Sequence, residues 1–532
     1  MTTVAQKKKP YFGLTGGWLT SWITVACATD MTLFGYDQGV FSEYLCVVIT
    51  QDFLVSHDLV GPTKTTALST VTAIYDIDCF FGALVAFTVG ERLGRKKAIL
   101  LGTTIMAVGA ILQTSSFSLA QMFVGRIVLG VGNGINTATA PISQTETSET
   151  KWRGKPVILD VMMNIAGFCL VNWINYGLSF AGGSVAWRFP LAFQFFFFFI
   201  LWSATPWLPE SPRWLLAHGK EEEAIEVLSC LKAKPIDDPV VITQRNEIAF
   251  SIQYERQNAV RWRDLLKKDK KNDTKTLRRI FLGVGSQFMQ QFGGINIMSY
   301  YMPTVLTKSV GLSEKMARLL SACNAVSYLV FSGIAVLLIE RNGSPWFNAS
   351  LDFVCFLVIT ILLRYSATSD NGSVYGNASV AFFFLYYGAF GIGMLGVPWL
   401  YPTEINSLPM RTKGAAAATA TDWITNFIVV EITPIGIQST GWKFWIVCSD
   451  AVHCCFLLLT VIVANRSLED LDAYYRTNPS LIVTGDPDAI CRKRPQKYIE
   501  REDEEFERTA VGKGVMPVEA EHVEWTEAER QR

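Results

Sequence analysis

Long apolar stretches alternate with short polar connections along this chain. Residues 98–125, 161–187, 189–209, 280–307, 319–339 and 371–403 contain no Asp, Glu, Lys or Arg. Each window is long enough for a membrane-spanning helix, which needs about 20 predominantly apolar residues. Hydropathy and Pro/Gly breakers predict spans near 18–41, 68–90, 98–117, 119–141, 156–180, 187–208, 279–306, 317–339, 346–365, 379–402, 414–435 and 442–464. The twelve fall into two sets of six around a polar stretch, 210–278, where PESPRWLLAHGKEEEAIEVL reads as a capped amphipathic helix. The expected fold class is an all-α membrane protein of two six-helix, pseudo-symmetric bundles. The expected boundaries are an N-terminal tail 1–17, bundles 18–208 and 279–464, a helical linker 209–278 and a C-terminal tail 465–532.

Composition agrees with the pattern. Charged residues make up 18% of the 532 positions, against about 25% in soluble domains. The 47 basic and 47 acidic side chains balance, so no basic face marks a nucleic-acid binder. The eleven cysteines are odd in number and mostly sit in apolar windows, where they act as small hydrophobes. His57, His218, His453 and His522 are too scattered to build a zinc site or a Ser-His-acid triad locally. No metal, cofactor or catalytic constellation is expected.

Short loops rich in Lys and Arg predict orientation: Arg92, Arg95, Lys96 and Lys97 follow the second span, and Lys151, Arg153 and Lys155 the fourth. Such loops belong in the cytosol, which places both termini, the basic tail MTTVAQKKKPYFG and the central linker inside. The loop 366–378 has no basic residue and carries sequons at Asn371 and Asn377, although Asn272 and Asn465 begin others on the inner side. The halves also echo each other: Glu146 precedes Arg153 by seven residues and Glu404 precedes Arg411 by seven, an offset of 258 in both cases. Internal duplication around a midplane cavity is the plan of secondary transporters.

The chain carries GYDQG at 35–39, GERLGRKK at 90–97, GRIVLGVGNG at 125–134, WRGK at 152–155, PESPRWL at 209–215, QFMQQFGGIN at 287–296, Tyr300-Tyr301, PWLYPTE at 398–404 and SLEDLD at 467–472. In this order they resemble the sugar porters of the major facilitator superfamily, most closely the fungal branch. A carboxylate within a span costs about 2.5–3.5 kcal/mol on insertion scales, so Asp37 calls for a partner, and Arg126 in the fourth span is the candidate. The resemblance implies that this pair is the proton-coupling site; a permanent structural ion pair is the alternative. Four carboxamides, Gln287, Gln290, Gln291 and Asn296, fall within ten residues of the seventh span beside a Gly-Gly break. Carboxamides bond hydroxyls in both directions, as a sugar site requires.

By resemblance Gln290, Gln291 and Asn296 hold sugar hydroxyls, Asn324 joins them, Trp399 stacks on the ring and Asn426 completes the site, with Tyr300 and Tyr301 near the outer gate. Where relatives carry a glutamine in the fifth span this chain has Val161; Asn164, one turn beyond Asp160, substitutes. Asp422 stands where relatives often have Asn, and suits a polyol, a cationic solute or a second titratable site. Asp76 and Asp78 are either buried protonated or turned to the cavity. Glu91, Arg92, Arg95, Glu146, Arg153, Glu210, Arg213, Glu404 and Arg411 resemble the family's cytosolic charge lattice, which closes the inner gate by salt bridges between the halves. The second-half copy is degenerate, with Ser344-Pro345 and Val461-Ile462-Val463 in place of the usual motifs, and this predicts a latch that opens inward easily or a carrier of reduced activity. GxGxxG at 391–396 lies in an apolar span and is helix packing, not a dinucleotide loop. The acidic run at 501–507 reads as a solvated tail.

The reading is therefore a plasma-membrane sugar or polyol importer working by alternating access with proton symport, monomeric, with sugar, proton and lipid as its partners. A proton-independent facilitator and a non-transporting sugar sensor are the alternatives.

Overall fold

The computed structural model describes residues 11–41, 50–59, 65–148, 154–257, 275–342, 345–407, 410–447, 468–477, 479–483, 486 and 495–498. Among these residues the secondary structure is helical throughout. The first half comprises α1 (Gly17–Val40), the short α2 (Thr50–Ser56), α3 (Thr65–Leu93), α4 (Arg95–Thr114), α5 (Leu119–Thr147), α6 (Gly154–Leu178) and α7 (Val185–Ala204). The linker carries α8 (Pro212–Ala217), α9 (Glu221–Lys232) and α10 (Pro239–Gln257). The second half comprises α11 (Thr276–Phe292), α12 (Ile295–Lys308), α13 (Glu314–Asn342), α14 (Pro345–Thr368), α15 (Gly372–Gly393), α16 (Val397–Ile405), α17 (Arg411–Thr440) and the four-residue α18 (Phe444–Val447), and α19 (Leu468–Arg476) follows. Most of the twelfth predicted span lies outside the described residues.

Seven of these helical stretches are long and apolar enough to cross a membrane by length and composition. The segments that fall short are α1, α5, the α11–α12 pair and α17, and each of them contributes polar side chains to the central cavity described below. The amphipathic stretch predicted as one helix is two, α8 and α9, divided at Gly219, whose φ is +75°. Ser211 caps α8 by accepting from the Trp214 amide at 3.2 Å.

Two spans are broken where the cavity lies. The seventh divides at Gly293-Gly294; Gly294 takes φ +89°, a conformation open to glycine, and Tyr386 Oη donates to the freed Gly293 carbonyl at 2.7 Å. The tenth, predicted as one helix over 379–402, is instead two, α15 and α16, interrupted at residues 394–396. Pro398 is the cause, since its ring excludes the carbonyl of Met394 four residues back from a helical bond.

Within the first half α1 packs on α6 and α5 on both α3 and α4; within the second, α11 packs on α17 and α15 on both α13 and α14. The halves meet along α3–α17, α6–α13 and α1–α12. The α1–α6 contact is backbone to backbone. A Cβ on Gly35 would fall 1.8 Å from the Asn164 carbonyl oxygen, and one on Gly167 1.9 Å from that of Thr32. Gly35→Ala and Gly167→Ala are each expected to cost at least the roughly 1–3 kcal/mol of an overpacked core and to cut the monodisperse yield in size-exclusion chromatography. Gly177→Ala, with no atom within 4 Å of its Cβ, serves as the control and is expected to behave as wild type.

Candidate functional site

A cavity of about 840 Å³ lies between the halves. Its inner end is lined by Gln38, Asn164, Gln287, Gln290, Gln291, Asn296, Trp399, Asp422 and Asn426, and its wall continues to Glu91, Arg95, Glu146, Arg213, Glu404 and Arg411 beside the linker helices. The cavity therefore opens on the linker face. Toward the opposite face the halves are tied by polar contacts across the seam: Gln38 Nε2 donates to Asn296 Oδ1 at 3.2 Å, Asn426 Nδ2 to Asp76 Oδ1 at 3.0 Å, and Thr70 Oγ1 to Glu431 Oε1 at 3.0 Å.

The carboxamides divide into two groups by what their amides do. Gln290 Nε2 donates to the Met394 and Leu395 carbonyls at 2.8 and 3.2 Å, and Gln287 Nε2 to the Pro398 carbonyl at 3.1 Å. The Met394 and Leu395 carbonyls belong to the break between α15 and α16, and that of Pro398, in the first turn of α16, is left open because Pro402 four residues on has no N–H; carbonyl partners fix the orientation of both amides. Their Oε1 atoms have no hydrogen-bond partner among the described residues. The amides of both are thus committed to the protein, and only buried oxygens are left over.

Gln291, Asn296 and Asn426 form the second group. Asn296 Nδ2 donates to Gln291 Oε1 and, at 2.7 Å, to Asn426 Oδ1, while Gln291 Nε2 donates to Asp422 Oδ1. With the Gln38 and Asp76 bonds, an unbroken amide chain runs from Asp422 through Asn296 to Asp76. Gln38 and Asn296 are themselves 258 residues apart, the offset of the internal repeat, as are Asn164 and Asp422. The duplicated halves thus meet at equivalent positions.

Trp399 is half-buried on the wall, and the Asn164 amide is buried with no partner among the described residues. Asn324 is buried but off the cavity wall. Tyr300 and Tyr301 pack in the second-half core, Tyr301 Oη donating to the Val430 carbonyl at 2.8 Å.

Asp37 and Arg126 come together as the sequence suggested. Both are 0% exposed, with Asp37 Oδ1 3.7 Å from Arg126 Nη1. The pair is loose, because among the described residues Arg126 Nη1 makes no hydrogen bond. Its Nε and Nη2 donate to the Val71 and Thr72 carbonyls at 3.4 and 3.3 Å, and its guanidinium lies over the Phe41 and Tyr75 rings at 4.1 and 4.5 Å. Asp37 Oδ1 also accepts from Gln194 Nε2 at 3.1 Å. Neither member of the pair lines the cavity.

At the mouth, Arg95 binds Glu146 through two contacts of 2.9 Å, its backbone N–H donates to Glu210 at 2.8 Å, and Arg213 meets Glu255 at 2.6 Å. These pairs lie within the first half and linker, not between halves as expected. Glu404 and Arg411 line the mouth from the other half, and the Glu91 carbonyl accepts from Trp214 Nε1 at 2.7 Å. Arg92 is exposed at the end of α3. Arg153, Ser344 and Val461–Val463 lie outside the described residues, and Pro345 is described only as the first residue of α14.

Sequence reasoning passed over Gln38, Gln194 and a second acidic pair. Asp30 is buried and accepts from Asn136 Nδ2 at 2.7 Å, and buried Asp160 receives the Gln144 amide at 2.9 and 3.1 Å once that amide is oriented to its partners. The signal was available: Asp30 interrupts an apolar span seven residues before Asp37.

Broken spans, a midplane amide cluster and a cavity between two bundles define a membrane carrier of the major facilitator fold, not an enzyme. The chain belongs to the sugar transporter family, since the family profile described as "Sugar (and other) transporter" matches residues 22–474. It is similar to the MFS-type transporter oryC of Aspergillus oryzae, 73% identical and covering 99% of each chain. It is 31% identical to the sugar transporter STL1 of Saccharomyces cerevisiae over 87% of this chain and 83% of that one. Among solved structures it resembles the proton:xylose symporter XylE of E. coli, bound to 6-bromo-6-deoxy-D-glucose, with a TM-score of 0.67, 22% identity and coverage of 86% and 99%.

Proposed function

We propose that this chain is a proton-coupled importer of a neutral sugar or polyol in the plasma membrane, working by alternating access. The observation that carries the reading is the amide chain at the inner end of a cavity that opens on one face and is bridged on the other. Such a chain offers donors and acceptors to hydroxyls in both directions, and its members come from both halves, so a solute held there is handed from one face to the other when the halves rock. The Lys and Arg residues after the second and fourth spans assign the linker face to the cytosol, together with both termini. On that assignment the arrangement described is open inward, and the division into bundles 18–208 and 279–464 supplies the rocking bodies. Asp37 and Arg126 are the proton-coupling pair, sealed from the cavity in this arrangement and freed for exchange with the outer face when the seam opens. XylE, whose fold the chain shares, is named a proton:xylose symporter.

The test is uptake of labelled hexoses, pentoses, disaccharides and polyols by a transporter-null yeast expressing this chain, at two pH values and with a protonophore. Uptake that is greater at the lower external pH and collapses with the protonophore is expected. Uptake indifferent to both makes the protein a facilitator, and absence of uptake for every solute overturns the importer reading.

A further inference from the structure

Charge is unevenly spread along the cavity. Among the described residues, every Lys and Arg of its lining stands at the mouth, on the linker helices or in the first turns of α4 and α17, with glutamates beside them. Deeper, two buried acids line it, Asp160 on α6 and Asp422 on α17. Each is held by a carboxamide, Asp160 by Gln144 and Asp422 by Gln291. The charged groups that face these two acids among the described residues are themselves acids, Asp30 for Asp160 and Asp76 for Asp422. Arg126, the cation near Asp76, is already opposed by Asp37 as well.

Of the two deep acids, Asp422 alone is joined to the amide chain, through Gln291 to Asn296 and Asn426. The internal repeat also singles it out. Its equivalent at the 258-residue offset is Asn164, so where one half turns an amide to the cavity the other turns a carboxyl. We propose that Asp422 makes the cavity selective for solute charge: a sugar or polyol bearing an ammonium group binds more tightly than the neutral compound, and the neutral compound more tightly than the carboxylate. The assignment rests on the carrier reading above and extends it from neutral solutes to cationic ones.

Two physical terms set this order. A carboxyl buried with no cation facing it lacks a counter-charge, and an ammonium group at Asp422 supplies one. Hydrogen bonds between ionised partners are roughly twice as strong as those between neutral groups, which makes the ammonium about tenfold better in affinity than a hydroxyl at the same place. If the empty carboxyl holds a proton, the arriving ammonium releases it to water in the open cavity, and the bound state is the same ammonium–carboxylate pair. Tyr328, Phe390 and Trp399 share this wall, and aromatic rings attract cations. A carboxylate solute meets the opposite conditions. It gives up its hydration where the facing charges are acids and where the amides of Gln287, Gln290 and Gln291 already donate to the protein.

The order is read by isothermal titration of the full chain in lipid nanodiscs with three solutes that differ at one carbon: 1-amino-1-deoxy-D-glucitol, D-glucitol and D-gluconate, at neutral pH. The amine is expected to bind about tenfold more tightly than glucitol, and gluconate at least about tenfold more weakly. Asp422→Asn keeps an oxygen for the Gln291 amide and makes the two halves alike at this position. It is expected to bring the amine and glucitol to equal affinity. Gluconate as tight as glucitol, an amine no tighter than glucitol, or a preference that survives Asp422→Asn overturns the assignment. The first two of these results need no variant, so the test stands even if Asp422→Asn does not fold. Failure of all three solutes to bind overturns instead the hydroxyl-binding reading of the cavity, and the assignment with it.

Discussion

Asp37→Asn is expected to abolish uphill accumulation. For a carrier moving one proton per solute, a pH difference of one unit is worth about 1.4 kcal/mol, a tenfold concentration ratio. The amide cannot carry a proton in exchange for solute, so the ratio should fall from about tenfold to about one. The measurement is accumulation of labelled sugar in proteoliposomes under an imposed pH step, with exchange at equal pH on both sides followed in parallel. Accumulation at the wild-type ratio would remove Asp37 from the coupling step. The loose contact with Arg126 is the physical ground for the expectation. A pair locked by hydrogen bonds would hold the carboxylate ionised throughout the cycle, whereas Arg126 is largely satisfied by two backbone carbonyls and two aromatic rings.

Asn296→Leu is expected to have the largest effect on affinity. Asn296 is the node of the amide chain, donating to Gln291 and Asn426 and accepting from Gln38. Its loss strands polar atoms on three neighbours, at about 1–3 kcal/mol for each buried group left unsatisfied. That penalty falls on the folded protein with or without solute, whereas a hydrogen bond lost to the solute itself is worth about 0.5–1.5 kcal/mol, roughly two- to tenfold in binding. KM for uptake should rise by that factor. Asn324→Leu is the informative contrast, because Asn324 is buried off the cavity wall; its KM is expected to stay near wild type. Equal effects of the two substitutions would mean that the amide chain is not where the solute binds.

Some of this site was legible in the amino-acid order. Glycine pairs and proline advertise breaks, and the Gly293-Gly294 interruption was visible on that ground. The interruption near residue 394 was missed, because residues 389–397 read as one apolar stretch and the disruptive Pro398 acts on a carbonyl four residues upstream. The same local blindness hid the division among the glutamines. Gln287 and Gln290 look identical to Gln291 in sequence, yet their amides are used by distant carbonyls that the α15–α16 break and Pro402 leave without helical partners. Asp30 escaped notice because its partner, Asn136, lies 106 residues away.

The sequence alone determined what depends on composition and neighbours along the chain: helices across a membrane, two matched halves, and the presence of acids and amides at lipid depth that need a reason to be there. Burial in a bilayer leaves the backbone only helices or closed barrels, and apolar runs of about 20 residues select the helix, so these features follow from local order. Only the tertiary structure decided which polar groups already satisfy one another, and that Arg95 at the mouth pairs with Glu146 of its own half. A hydrogen bond is specified by the position of two atoms, and for most amides of this cavity the second atom belongs to a helix more than a hundred residues away.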